Sequence, residues 1–135
     1  QLAHIACGLP VTPAATLLDA SDLVKFHARN DHVGLVIPYE YLGVDHSYEP
    51  DFLVRLINDV TLILEIKGYE FDDHEKNNAK HNAAKKWVTA VNNLGDFGQW
   101  DFLVCRDLDT LLPMMAELLD METTAVSVKN EGDLF

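Results

Sequence analysis

Pro50-Asp51-Phe52-Leu53-Val54-Arg55-Leu56-Ile57-Asn58-Asp59-Val60-Thr61-Leu62-Ile63-Leu64-Glu65-Ile66-Lys67 decides the reading of this chain. Two apolar, strand-like runs, Phe52 to Ile57 and Thr61 to Leu64, flank the polar pair Asn58-Asp59, which is a turn signal. Folding the chain at that pair predicts an antiparallel hairpin with Asp51 opposite Glu65 or one residue away. Side chains alternate along a strand, so Glu65 and Lys67 share a face. The register that sets Asp51 directly across from Glu65 puts all three on it. Two acids and a lysine therefore converge at one end of the hairpin.

That combination suits phosphate chemistry. A hard divalent ion such as Mg²⁺, with Mn²⁺ as a substitute, takes carboxylate oxygens, backbone carbonyls and water, which makes Asp51, Glu65 and the carbonyl of Ile66 a candidate metal-ligand set. Such an ion neutralises a scissile phosphate and acidifies a bound water. An ammonium at Lys67 beside that water orients it and offsets charge building on the phosphorane oxygens. Asp51, Glu65 and Lys67 are thus the candidate catalytic residues, and phosphodiester hydrolysis is the reaction class. The same residues also fit a plain hairpin in which Pro50, Asp51 and Glu65 mark strand ends and Lys67 pairs with Glu65 across solvent.

Pro50-Asp51 followed by Glu65-x-Lys67 resembles the core of the PD-(D/E)xK nuclease superfamily. The surrounding words are more specific: Arg29-Asn30-Asp31-His32-Val33-Gly34-Leu35 running into Ile37-Pro38-Tyr39, then Tyr48-x-Pro50-Asp51-Phe52-Leu53-Val54-Arg55, then Leu62-Ile63-Leu64-Glu65-Ile66-Lys67-Gly68. With Trp87-Val88-x-Ala90-Val91-Asn92-Asn93, Gly95-x-Phe97-Gly98-x-Trp100 and Phe102-Leu103-Val104, they look like the C-terminal endonuclease domain of the restriction (helicase-bearing) subunit of type III restriction enzymes. The likeness covers about residues 23 to 107. It implies a three-layer restriction-endonuclease-like α/β fold, a central mixed sheet flanked by helices. It also implies metal ligation by Asp51 and Glu65, a catalytic Lys67, and Mg²⁺-dependent cutting of DNA in a cytoplasmic restriction system. A helicase motor in the same parent chain and a DNA-modification subunit are the implied partners. Many relatives carry a further acid ahead of the first core strand. Asp19, Asp22 and Asp31 are the candidates here, although Asp31-His32 fits a turn cap better. A second function class stays open: a catalytically inactive domain of the same fold that docks partner subunits or DNA. Intact acids and lysine favour the nuclease.

At 135 residues the chain is close to the modal size of one domain and long enough to bury a core. We expect residues 1 to 135 to form a single nuclease domain; Gln1 in place of Met points to a processed or an excised chain, and the resemblance favours excision from a longer helicase-nuclease chain. Leu2-Ala3-His4-Ile5-Ala6-Cys7 is apolar but too short for a membrane span and lacks the basic flank of a signal peptide, so no membrane partner is expected. Cys7 and Cys105 form neither a zinc motif nor a disulfide framework, and Cys105 reads as a buried strand residue. The six histidines, His4, His27, His32, His46, His74 and His81, show no i, i+4 metal pairing, with His32 and His74 kept as outside candidates near the site.

The net charge of −12 opposes DNA binding, which draws on lysine and arginine. The charges are uneven, however: Lys76, Lys80, Lys85 and Lys86 lie in a stretch from Lys76 to Asn93 that holds no acid. These lysines are candidates for tracking a nucleic-acid backbone, while complementing the helix macrodipole explains them at least as well.

The remaining pattern predicts a helix through Ala14 to about Ala20 started by Thr12-Pro13, and a first strand over 33–42 turning at Gly43 into a strand through Tyr48. After the hairpin come an acidic stretch (Glu70, Asp72, Asp73 and Glu75), a helix from about His74 to Asn93 and a strand from Trp100 to Arg106. A last helix, Leu111 to Met121, tolerates Pro113 in its first turn, and the tail beyond Thr123 is undetermined. The stripe Ala79, Ala83, Ala84, Trp87, Val88 and Val91 is the predicted buried face of the long helix. A strand reached through a helical crossover usually pairs in parallel, so the predicted sheet is mixed.

Overall fold

A computed structural model describes residues 11–67 and 74–120; Cys7, His4, Gly68, Glu70, Asp72, Asp73 and the tail lie outside the described residues. The order is α1 (Val11–Ala20), β1 (Val24–Arg29), α2 (Asn30–Val33), β2 (Ile37–Tyr41), β3 (Val44–Tyr48), β4 (Phe52–Leu56), β5 (Thr61–Ile66), α3 (His74–Leu94) and β6 (Trp100–Cys105). A 3₁₀ turn (Leu108–Thr110) then leads into α4 (111–120).

The hairpin of β4 and β5 is antiparallel as expected, with Phe52 paired to Leu64 and Arg55 to Thr61. Its loop places Asp59 at φ 68°, and the Val60 amide donates to the Asn58 side chain. Asx residues serve this geometry because they tolerate the left-handed region and bond their own backbone. The hairpin is the middle of a four-stranded mixed sheet, order β1-β4-β5-β6, in which β6 runs parallel to β5. Every residue of β5 is buried. A strand covered on both faces reads as an apolar run rather than an alternation, as Leu62-Ile63-Leu64 does.

Two cores lie on the two faces. Phe52, Val54, Leu56, Leu62, Leu64 and Ile66 pack with Ala14 and Leu18 of α1 and Leu111 and Met115 of α4. Ile63 faces the other way, with Ile37, Tyr39 and Tyr48 of the β2–β3 hairpin and Ala84 and Val88 of α3. The protein is thus a layered, mixed α/β structure. Among the described residues no helix is long and apolar enough to cross a membrane.

Three expectations need correction. The strand predicted over 33–42 begins only at Ile37, because Asn30 to Val33 form a single helical turn closed by Gly34 at φ 83°. Second, β2 and β3 do not join the central sheet but form a separate two-stranded sheet, turned by Leu42 and Gly43, both at positive φ. Third, Val24–Arg29, which has no apolar alternation, is a strand on the edge of the sheet, held by pairing to β4. In the long helix Ala84 and Val88 are buried as expected, and Asn77 joins them. Cys105 is buried as expected.

Candidate active site

Asp51 and Glu65 meet because the β4–β5 register, extended one step past Phe52–Leu64, sets them opposite each other. Asp51 is fixed twice. Its carboxylate accepts the Ile66 amide at 2.8 Å, and its carbonyl accepts the Asn30 amide at 2.8 Å. Asn30 is itself buried and bonds both backbone groups of Leu35 through its side chain. The short helix α2 therefore acts as a clip that sets the entry to β4.

Glu65 is only 8% exposed. The solvent-paired hairpin reading required it in water, and burial removes that option. Burial first, then the charge of Asp51 and a shared proton with it, push the Glu65 carboxyl up to about 8 from an ordinary 4.5. Lys67 and Lys80 pull in the opposite direction without cancelling the rise. The Lys67 amide donates to the Cys105 carbonyl at 2.8 Å, which ties the end of β5 to β6. The site lies where the parallel pair of strands ends, the edge of an open α/β sheet at which ligands characteristically bind.

Three further side chains close on these residues from β3 and α3. The Tyr48 hydroxyl is buried beside Glu65 and completes no hydrogen bond of normal geometry among the described residues. Burial, then Glu65 and Asp51, hold it in its protonated form. Lys80 places its ammonium 5.7 Å from the centre of the Tyr48 ring. His81 meets the Tyr48 ring edge-on and the Phe102 ring at a tilt, and buries an Nε2 with no partner among the described residues. Burial, then Lys67 and Arg106, lower its affinity for a proton. His81 was legible in principle, because Asn77, His81, Ala84 and Val88 follow i, i+4, i+7, i+11 and trace the buried face.

The other sequence candidates are placed apart. Asp19 is engaged by His27, Asp22 lies in the α1–β1 turn, and Asp31 pairs loosely with Arg29 at 3.8 Å. Asp31 does line a small cavity of about 160 Å³ that also reaches Glu49 and Asp51. His32 and His74 are exposed. Of the four lysines, Lys80 reaches the site, whereas Lys85 and Lys86 are exposed. At about 100° per residue Lys76 and Lys80 lie on one side of α3, Lys86 flanks Lys76 on the other side, and Lys85 points the opposite way.

The donor chemistry fits a divalent ion. Two carboxyl groups forced together in a buried setting repel each other, and a cation between them removes that cost. Among the described residues no third His, Cys, Asp or Glu joins them in a metal-holding group, so the Ile66 carbonyl, water and substrate oxygens would complete the shell. No protein-family model, curated protein or solved structure matches the chain.

Proposed function

We propose that this chain is a divalent-metal-dependent endonuclease domain of the restriction-endonuclease-like fold, cutting phosphodiester bonds in DNA within a restriction system. The observation that carries the reading is the buried contact of Asp51 with Glu65, with Lys67 two residues on, just past the end of β5. A carboxyl group whose proton affinity is pushed up to about 8 by burial and then by its neighbour Asp51 is an unfavourable structural element, and a cation site gives it a purpose.

Asp51, Glu65 and the Ile66 carbonyl would hold the ion, which supplies charge neutralisation at the phosphate and a more acidic water. The Ile66 amide fixes one oxygen of Asp51, so the carboxylate is oriented before metal arrives. Lys67 presents its ammonium on the Glu65 side, where it orients the attacking water and stabilises negative charge on the phosphorane. Lys80 adds a second cation over the Tyr48 ring and anchors a nonbridging phosphate oxygen. Tyr48, kept protonated, donates its hydroxyl towards Glu65 or the substrate.

Cleavage of supercoiled plasmid by the full enzyme carrying this domain tests the reading. Mg²⁺-dependent nicking that disappears in Asp51→Ala and in Glu65→Ala is the expected result. Unchanged nicking by Glu65→Ala sinks the assignment.

A further inference from the structure

We infer that His81 and Arg106 complete, with Lys80, an oxyanion site at the joint end of β5 and β6, where the His81 Nε2–H and the two cations hold the nonbridging oxygens of a phosphate group. That this phosphate belongs to the bond being cut rests on the nuclease reading.

The sheet brings the members together. β5 and β6 run parallel and in step, with Glu65 beside Val104 and Ile66 beside Cys105. The next residue of each strand is a cation, Lys67 after β5 and Arg106 after β6, and the bond from the Lys67 amide to the Cys105 carbonyl holds the two ends side by side. Lys80 and His81 come from α3, which packs against β6. Lys80 lies over the Tyr48 ring, beside which His81 also sits. The cations that bear on the His81 ring therefore come from three elements: Lys67, Arg106, and Lys80 with Lys85.

His81 is held in place before any ligand arrives. Its ring lies 5.7 Å from that of Phe102 and 6.5 Å from that of Tyr48, and Tyr48 in turn meets Phe102 at 6.4 Å. Phe102 is itself fixed in the sheet, as the β6 partner of Ile63. Within this cluster of rings two polar atoms are buried with no partner among the described residues, Nε2 of His81 and the hydroxyl of Tyr48, a residue only 2% exposed. A buried polar atom without a partner carries its full desolvation cost, and a bound ligand removes it.

The charge around Nε2 selects the ligand. An imidazole among cations stays neutral and has one N–H to give. A cation or a pure donor brought there would be repelled by Lys80 and Arg106. Water would satisfy Nε2 alone, whereas an oxyanion accepts from Nε2 and from both cations. Phosphate fits best, because its oxygens diverge towards the helix and the strand ends at once and it pairs well with the arginine fork.

The test titrates inorganic phosphate into this chain in metal-free neutral buffer. Amide NMR signals of Lys67 and Cys105 report binding, and chloride at equal ionic strength is the control. The inference expects a saturable shift with phosphate and none with chloride. Arg106→Gln and His81→Phe should each weaken phosphate binding at least about tenfold. His81→Phe keeps a ring in the cluster, and Arg106→Gln changes an exposed position, so a loss in both is a loss of contact and not of fold. His81→Gln, which restores an N–H donor, should bind within about threefold of the wild type. Wild-type affinity in Arg106→Gln, a shift with chloride as large as with phosphate, or His81→Gln as weak as His81→Phe overturns the inference. Because cleavage is not read, a failure of the nuclease reading appears separately, as phosphate binding intact in a protein that shows no metal-dependent nicking.

Discussion

Glu65 is a carboxyl group at the end of a strand whose residues are all buried, facing a second carboxyl group, and this makes it responsive to pH. Its proton affinity is raised in the fold, so between the ordinary 4.5 and about 8 the folded state keeps a proton that the unfolded state has released. Stability therefore falls as pH rises through that window, by at most about 1.4 kcal/mol per pH unit. Melting temperatures from pH 5 to 8 should decline in chelator, and Glu65→Gln should flatten the decline because it carries no titrating proton. His81, whose proton affinity burial lowers, contributes the opposite slope over the same range, so the contrast with Glu65→Gln is decisive: a profile identical in wild type and Glu65→Gln contradicts the buried contact. On the proposed nuclease reading Lys67 acts on charge that develops only during reaction, so Lys67→Ala is expected to keep metal binding while losing about a hundredfold or more in single-turnover cleavage. Comparable loss of metal affinity in Lys67→Ala would show that it shapes the site rather than the transition state.

At the scale of the elements, two turns position everything else. Leu42 sits at φ 52° in the tip of the β2–β3 hairpin, a conformation that favours Asn or Gly, and it is 80% exposed. Leu42→Asn should relieve that strain and stabilise by about 0.5–1 kcal/mol, seen as a higher denaturation midpoint with an unchanged slope. Asn30 is the opposite case, a buried side chain with two backbone bonds to Leu35. Asn30→Ala is expected to cost about 1–3 kcal/mol and to loosen Asp51 with it. These elements also mark how far the sequence could be read. The β4–β5 hairpin was legible because Asn58-Asp59 separates two apolar runs, and α3 because its alanines and Val88 keep a helical period. Val24–Arg29 was not, since an edge strand with exposed Phe26 has little burial to imprint on its residues, and its partner β4 is distant in sequence. The separation of β2–β3 from the main sheet was equally hidden, because apolar spacing records burial and not which strand lies alongside. In the site, the convergence of Asp51 with Glu65 followed from register, whereas the approach of Tyr48, Lys80 and His81 depends on how α3 and β3 pack over β5. That packing is a tertiary fact no local spacing encodes.

At the scale of the molecule, the proposed nuclease reading has to reconcile a net charge of −12 with an anionic substrate. Long-range repulsion should hold duplex affinity of this chain alone no tighter than ~10⁻⁴ M at physiological salt. Attachment to a subunit already on DNA changes the requirement, since a short linker can supply an effective concentration of ~mM. On the proposed reading we therefore expect cleavage when the chain is tethered to such a subunit and near absence of cleavage by this chain alone. Submicromolar duplex binding by the fragment in a gel-shift salt series would show that α3 outweighs the net charge. The central claim is that Asp51 and Glu65 together form a divalent-cation site, and calorimetric titration with Mn²⁺ tests it most directly. The account predicts one saturable site in the wild type and in Lys67→Ala, and none in Asp51→Ala or Glu65→Ala. An identical titration in wild type and Glu65→Ala, or no heat of binding in a folded wild type, would contradict it.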